Sequence, residues 1–313
     1  LALRRGVKKE AKLARLVAEI KQSICAKVDL AVPGLAALVG DPASRLARVL
    51  YVCYLDPRQI LALGPGAFRD VVAAARRGPL PEAWFRRLWA CYEAAATFWE
   101  PGDVEAQALT EDVAEDYAIL DTLLAQLRQV RQRNLALYQA LDPEGYVQSL
   151  PGVGKVLAPA LLAGLPDPHR FPSSKAFRAY TGLIPRVDQS GVRRAKGTRS
   201  TKAGPAWLRR ALYLAAEVAR RQDPQLAQIY QRCLVEKGHH HTQAVCVVAV
   251  HLADRLYAVR RDGRPYVLRD AHGRAVDREQ ARRLARSCYP VPQTVRLSRR
   301  NREGHPRENV RVG

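Results

Sequence analysis

Residues 184–213 read IPRVDQSGVRRAKGTRSTKAGPAWLRRALY, eight Lys or Arg against a single acid, with Ser190 set before Gly191 just ahead of the basic run. A serine hydroxyl becomes a nucleophile only when its proton is removed and the developing charge is stabilised. On a phosphodiester the second requirement dominates, because charge gathers on non-bridging oxygens that Arg and Lys can clamp. Arg186, Arg193, Arg194, Lys196, Arg199 and Lys202 fall within about one loop of Ser190 and would supply that clamp. Spacing alone leaves the plainer reading open, since Ser-Gly in a polar stretch also makes an ordinary turn.

A second feature is P-G-V-G at 151–154, followed by Lys155. A tight glycine turn between helices gathers backbone N–H groups where a phosphate can sit, the helix-hairpin-helix pattern of nucleic-acid backbone binding, with Gly152, Gly154 and Lys155 facing the phosphate. The rival is a glycine turn that binds nothing. A nucleotide P-loop is excluded, because Lys155 is followed by Val156 rather than by a hydroxyl for Mg²⁺. His239, His240 and His241 are adjacent, so their rings would fan apart on a helix and could not converge on one metal without His251. Phosphate contact or a plain loop outranks metal there, and no metal ligand is assigned. The six cysteines contain no C-x-x-C pair and read as small buried hydrophobes.

The elements that must hold these groups are helical. Hydrophobic residues make up 48% of the chain but aromatics only 7%, so the apolar content is mostly Ala, Leu and Val, which favours a mainly α fold. Apolar spacing from Lys9 to Val28 predicts an amphipathic helix. Asp56-Pro57, Gly64-Pro65-Gly66 and Gly78-Pro79 should break residues 41–100 into short helices, with the Trp-rich stretch 84–99 in their core. Glu111 to Leu141 carries a coiled-coil-like stripe with Asn134 on its seam, used either between copies or within the chain. Its acids Glu111, Asp112, Glu115 and Asp116 read as a solvated first turn. Further helices are expected over 174–182, Pro205 to Arg221 (with Arg209 and Arg210 near its start), Gln225 to Val235 and Thr242 to Arg260. The expected organisation is 1–40 helix and connection, 41–110 helical insert, 111–145 long helix, 146–270 the hairpin and serine-loop domain, and 271–313 a basic, largely disordered tail.

A formal charge of +21 on 313 residues makes a polyanion the expected partner, nucleic acid first. The same balance suits a membrane surface, but no stretch reaches about 18 uncharged apolar residues and no signal-peptide pattern opens the chain, so a cytoplasmic location without a membrane is expected. Methionine is absent and position 1 is Leu, which points to a chain lacking its own beginning or using a non-standard start.

The segments P-G-V-G (151–154), R-F-P-S (170–173), A-Y-T-G-L-I-P-R (179–186), Q-S-G (189–191), K-A-G (202–204) and L-R-R-A-L-Y (208–213) together resemble the C-terminal domain of insertion sequence 110 family transposases, relatives of Piv-type DNA invertases. The resemblance runs to about residue 266 and, more loosely, over the helical insert. It implies that Ser190 is the nucleophile of DNA strand cleavage and exchange, that DNA is the partner and an element-encoded RNA a guide, and that two or four copies act together. The seam around Asn134 is then one contact between copies. It also implies Mg²⁺ held by four acids of an N-terminal RuvC-like domain, the last two in T-D-x-x-D-A. This chain has no such segment, so no cofactor is expected in it and that domain is expected to be missing. Three readings follow: a transposase or recombinase, whole or partial, acting through Ser190; a catalytically inactive remnant that only binds DNA or RNA; and a basic structural protein.

Overall fold

Helix α1 (Ala2–Ala31) opens the chain, and α2 (Leu35–Val39) follows. Ser44 caps α3 (Arg45–Cys53) by accepting from Ala47 N at 3.2 Å. Asp56 caps α4 (Pro57–Leu63), whose first position is Pro57, where a missing N–H has no helical partner to lose. Gly64 ends α4, and Pro65 starts α5 (Pro65–Ala75). After Gly78-Pro79 comes α6 (Glu82–Phe98), so the chain breaks where its Pro and Gly residues predict. The longest helix, α7 (Ala106–Leu141), starts before the acidic cluster. This computed structural model describes residues 1–100, 103, 105–184, 189–190, 193–194 and 200–299.

Two compact units result, one formed by Glu10–Val130 and the other by Leu1–Lys9 with the chain from Arg131. Both α1 and α7 contribute to each, so residues 111–145 do not form a region of their own. In the first unit Phe85, Leu88 and Tyr92 of α6 are buried around Phe68, with Trp84 and Trp89 packed at the rim. Asp116 departs from the solvated reading. It is buried, accepts a hydrogen bond from Ser23 Oγ at 2.8 Å, and pairs with Lys27 Nζ at 3.0 Å, because its place on α7 faces α1.

In the second unit the carboxylate of Asp142, also buried, ends α7. It accepts from Tyr138 Oη at 2.7 Å, Val147 N at 2.9 Å and Tyr146 N at 3.2 Å. These bonds draw residues 147–149 into a 3₁₀ turn. Only α8 (Ala158–Gly164) adjoins the P-G-V-G turn as an α-helix, so the first arm of the expected helix-hairpin-helix is a 3₁₀ turn. Asn134 is buried with its side chain against Gly6 of α1, so at this position the seam is used within the chain.

Helices α9 (Ser174–Thr181), α10 (Ala206–Ala219), α11 (Pro224–Val235) and α12 (His241–Asp262) carry the rest of this core. By length and composition α12 alone among the described helices could span a membrane. Here it packs on α9, α10 and α11, with Val245, Val248, Leu252 and Leu256 fully buried. Each such side chain contributes roughly 1.5–3 kcal/mol.

The tail expectation is corrected for 278–298, where α13 (Arg278–Ser287) and α14 (Gln293–Ser298) form. Asp277 caps α13 by accepting from Gln280 N, and Ala281 and Ala285, one turn apart, bury against α11. Two small apolar residues give too weak a periodicity to read against the four arginines of α13. Residues 300–313 lie outside the described residues. Of the six cysteines, expected to be buried, Cys233 is buried, Cys25, Cys91 and Cys246 are half-buried, and Cys53 and Cys288 are exposed.

Candidate nucleic-acid interface

The serine loop grows from a fixed base. Phe177 of α9 is buried among Phe171, Tyr180 and Tyr257, with ring centroids 5.3, 6.4 and 6.3 Å away. Arg178 Nε lies 3.2 Å from Asp254 of α12. Gly182 then ends α9 in the left-handed region at φ 69°. Beyond it the two arms of the loop are joined by Thr201 N donating to Ile184 O at 2.9 Å and Lys202 N to Gly182 O at 3.0 Å. Gly204 crosses the end of α9 so closely that a Cβ there would run into the Tyr180 carbonyl. Between these arms Gln189–Ser190 (β1) pairs antiparallel with Arg193–Arg194 (β2), and Ser190 stands opposite Arg193.

Arg209 closes the base from α10. Its guanidinium donates to the Lys202 carbonyl at 3.0 Å and to the Gly204 carbonyl, a task that holds the loop's exit strand. Lys202, at φ 53°, and Arg210 are exposed. Arg186, Lys196 and Arg199 lie outside the described residues.

The P-G-V-G turn lies toward the other end of α10. Gly152, at φ 75°, sits where a Cβ would strike the Ala215 carbonyl, and its N–H donates to Gln222 Oε1 at 3.0 Å. Its glycine therefore serves close packing on α10. Gly154 and Lys155 are exposed, and their amides have no acceptor among the described residues. A shallow cleft of about 320 Å³ joins this turn to Gln222, Arg278 and Arg282. The loop base and the turn are separated by roughly 15 Å of α10 at 1.5 Å per residue, so they cannot act on the same phosphate.

Three adjacent histidines do not form a metal site. His241 Nδ1 is 2.8 Å from Tyr230 Oη, and its Nε2 faces Glu217 Oε2 at 3.4 Å. Burial holds its pKa below 6.5, against the pull of Glu217. Burial would raise Glu217, but hydrogen bonds from Arg220 and Arg221 outweigh it and keep the carboxylate below its usual range. Among the described residues no three of His, Cys, Asp or Glu are gathered as metal ligands would be.

Residues 144–231, which span the turn, the serine loop and α10, match the Transposase IS116/IS110/IS902 family. Residues 144–231 are therefore similar to an IS116/IS110/IS902-family transposase domain. It is 33% identical over 131 residues to the insertion element IS110 uncharacterized 43.6 kDa protein of Streptomyces coelicolor, covering 42% of this chain and 32% of that protein. Similarity to the pilin gene-inverting protein of Moraxella bovis is 31% over 118 residues, 38% of this chain and 37% of that one. The insertion element IS900 uncharacterized 42 kDa protein of Mycobacterium paratuberculosis is 29% identical over 167 residues, 53% and 41% respectively. The matched stretch thus spans about a third of the first two relatives.

Sequence reading passed over one constellation at the end of the matched stretch: Glu217, Arg220 and Arg221 with Tyr230 and, beyond it, His241. Glu217-x-x-Arg220-Arg221 has the i, i+3, i+4 spacing of intrahelical pairs, a signal available in the sequence. The part played by His241 and Tyr230 needed the fold.

Proposed function

We propose that this chain acts on DNA as a transposase or site-specific recombinase of an insertion element, with Ser190 as nucleophile. The observation that carries the reading is the match over 144–231, which places Q-S-G within a transposase domain. The name of the Moraxella relative, a gene-inverting protein, agrees with strand exchange as the class of reaction. In the step proposed, Ser190 Oγ loses its proton and bonds to phosphorus, the bond from phosphorus to one sugar oxygen breaks, and that oxygen takes up a proton, so that none is gained or lost overall. A hydroxyl on another strand then reverses the step. Arg186, Arg193, Arg194, Lys196, Arg199, Lys202 and Arg210 supply cationic donors to the phosphate oxygens, while Gly154 and Lys155 take a phosphate about four nucleotides away, at about 3.4 Å per nucleotide. Arg209 and Gly152 position the loop and the turn. Copies of the chain pair for exchange of two sites, and an RNA guide is a further partner.

A second reading, a protein that binds DNA or RNA without cutting it, is favoured by the lack of a carboxylate cluster among the described residues. One assay separates the two. Ser190→Ala should abolish strand transfer between element ends and leave DNA retention intact. Unchanged strand transfer would overturn the serine assignment, and measurable recombination by the wild-type chain excludes the second reading.

A further inference from the structure

A cleft of about 600 Å³ opens at the C-terminal end of α10, against Ala227, Tyr230 and Leu234 of α11. Its walls bring together arginines from two helices and from the segments that follow α10 and α14: Arg220 and Arg221, Arg286 of α13, Arg296 of α14, and Arg299 just beyond it. Against five guanidinium groups stands one carboxylate, Glu217, already shared by Arg220 and Arg221, with Arg221 Nη2 to Oε1 at 2.8 Å. Arg286, Arg296 and Arg299 pair with no carboxylate among the described residues. The floor is built to hold this charge in place. Arg220 stacks on the Tyr230 ring at 4.3 Å, His241 bonds Tyr230, and His241 N donates to Arg299 O at 3.1 Å, joining α12 to the end of α14.

The cleft does not stand alone. Arg278, Arg282 and Arg286 follow at four-residue intervals on α13, and the first two line the cleft beside the P-G-V-G turn. A row of guanidiniums at steps of roughly 6 Å therefore leads from that turn into the arginine cleft. A small anion would need one such fork. A linear array of cations fits a polymer with regularly repeated anions, and planar forks suit phosphate oxygens.

We infer that this arginine cleft is a second nucleic-acid site, which binds the sugar–phosphate backbone of a strand running along α13. It rests on the nucleic-acid reading above but is independent of Ser190. DNA and RNA backbones share the chemistry.

The test measures binding of the full chain to a 20-nucleotide DNA and to an RNA of the same sequence as salt is varied. The cleft variant is Arg286→Gln/Arg296→Gln/Arg299→Gln. The control, Arg133→Gln/Lys175→Gln/Arg264→Gln, removes equal charge from exposed positions of the same unit outside the cleft. The cleft variant should lower the log–log salt slope by about 2 to 3 for whichever strand occupies it, and the control by less than about 1. In the wild-type chain, the same strand should protect Arg286, Arg296 and Arg299 from an arginine-selective dicarbonyl reagent, a readout that depends on no variant folding. Equal slopes in the two variants, or unprotected arginines, overturn the inference while leaving wild-type binding and the function proposed above intact. A wild-type chain that binds neither strand overturns both. An acidic peptide of equal charge that protects the three arginines as well as the oligonucleotide does overturns the nucleic-acid assignment.

Discussion

Glycine at 152 and at 204 is a requirement of backbone approach rather than of ligand contact. Gly152→Ala forces a Cβ into the Ala215 carbonyl at φ 75°, and a loss of about 1–3 kcal/mol is expected, read as a lowered urea midpoint. Gly154→Ala meets open space and should leave the midpoint within about 0.5 kcal/mol. Histidines set a pH dependence at the same scale. Burial lowers the pKa of His241, which faces Glu217, Arg220 and Arg221, and of His251, which faces Arg255, Asp254, Arg178 and Lys237. Both stay neutral in the fold while the unfolded chain takes up protons near pH 6.5, so the folded state loses stability as pH falls below about 6.5 and stops losing it below the folded pKa. Thermal melts at pH 7.5 and 5.5 should show the drop, and His251→Gln should shrink it.

Helix boundaries in this chain follow from side chains that capture backbone groups. Asp142 shows how strongly, since one buried carboxylate both stops α7 and winds the turn that leads to P-G-V-G. Asp142→Ala strands Tyr138 Oη and two N–H groups, and about 2–4 kcal/mol should be lost, with Asp142→Asn losing less. Chemical denaturation measures both. Much of this level was legible in the sequence: the Pro and Gly breaks of 41–100 and α9 to α12 lie within a few residues of where pattern places them, while the N-terminal helix begins at Ala2, seven residues before the expected Lys9. What escaped has physical causes. α13 buries only two alanines, so its period is hidden among arginines. Asp116 is distinguished from Asp112 only by which face of α7 meets α1. Of the candidate site, the loop and turn were legible as basic and glycine-rich, but the engagement of Arg209 by carbonyls and of the Gly152 amide by Gln222 depends on α10 passing beneath both.

Across the whole chain, +21 net charge is a long-range attraction for any polyanion. Three places follow α10 in order: the base of the serine loop at its start, the P-G-V-G turn along its second half, and the arginine cleft at its end. Chemistry is proposed for the first alone. Its most direct test is mass spectrometry of the wild-type chain after denaturing quench of a reaction with element-end DNA. The account predicts a nucleotide remnant covalently attached to Ser190, absent from Ser190→Ala. An unmodified Ser190, whether the DNA is recombined or left whole, would contradict it.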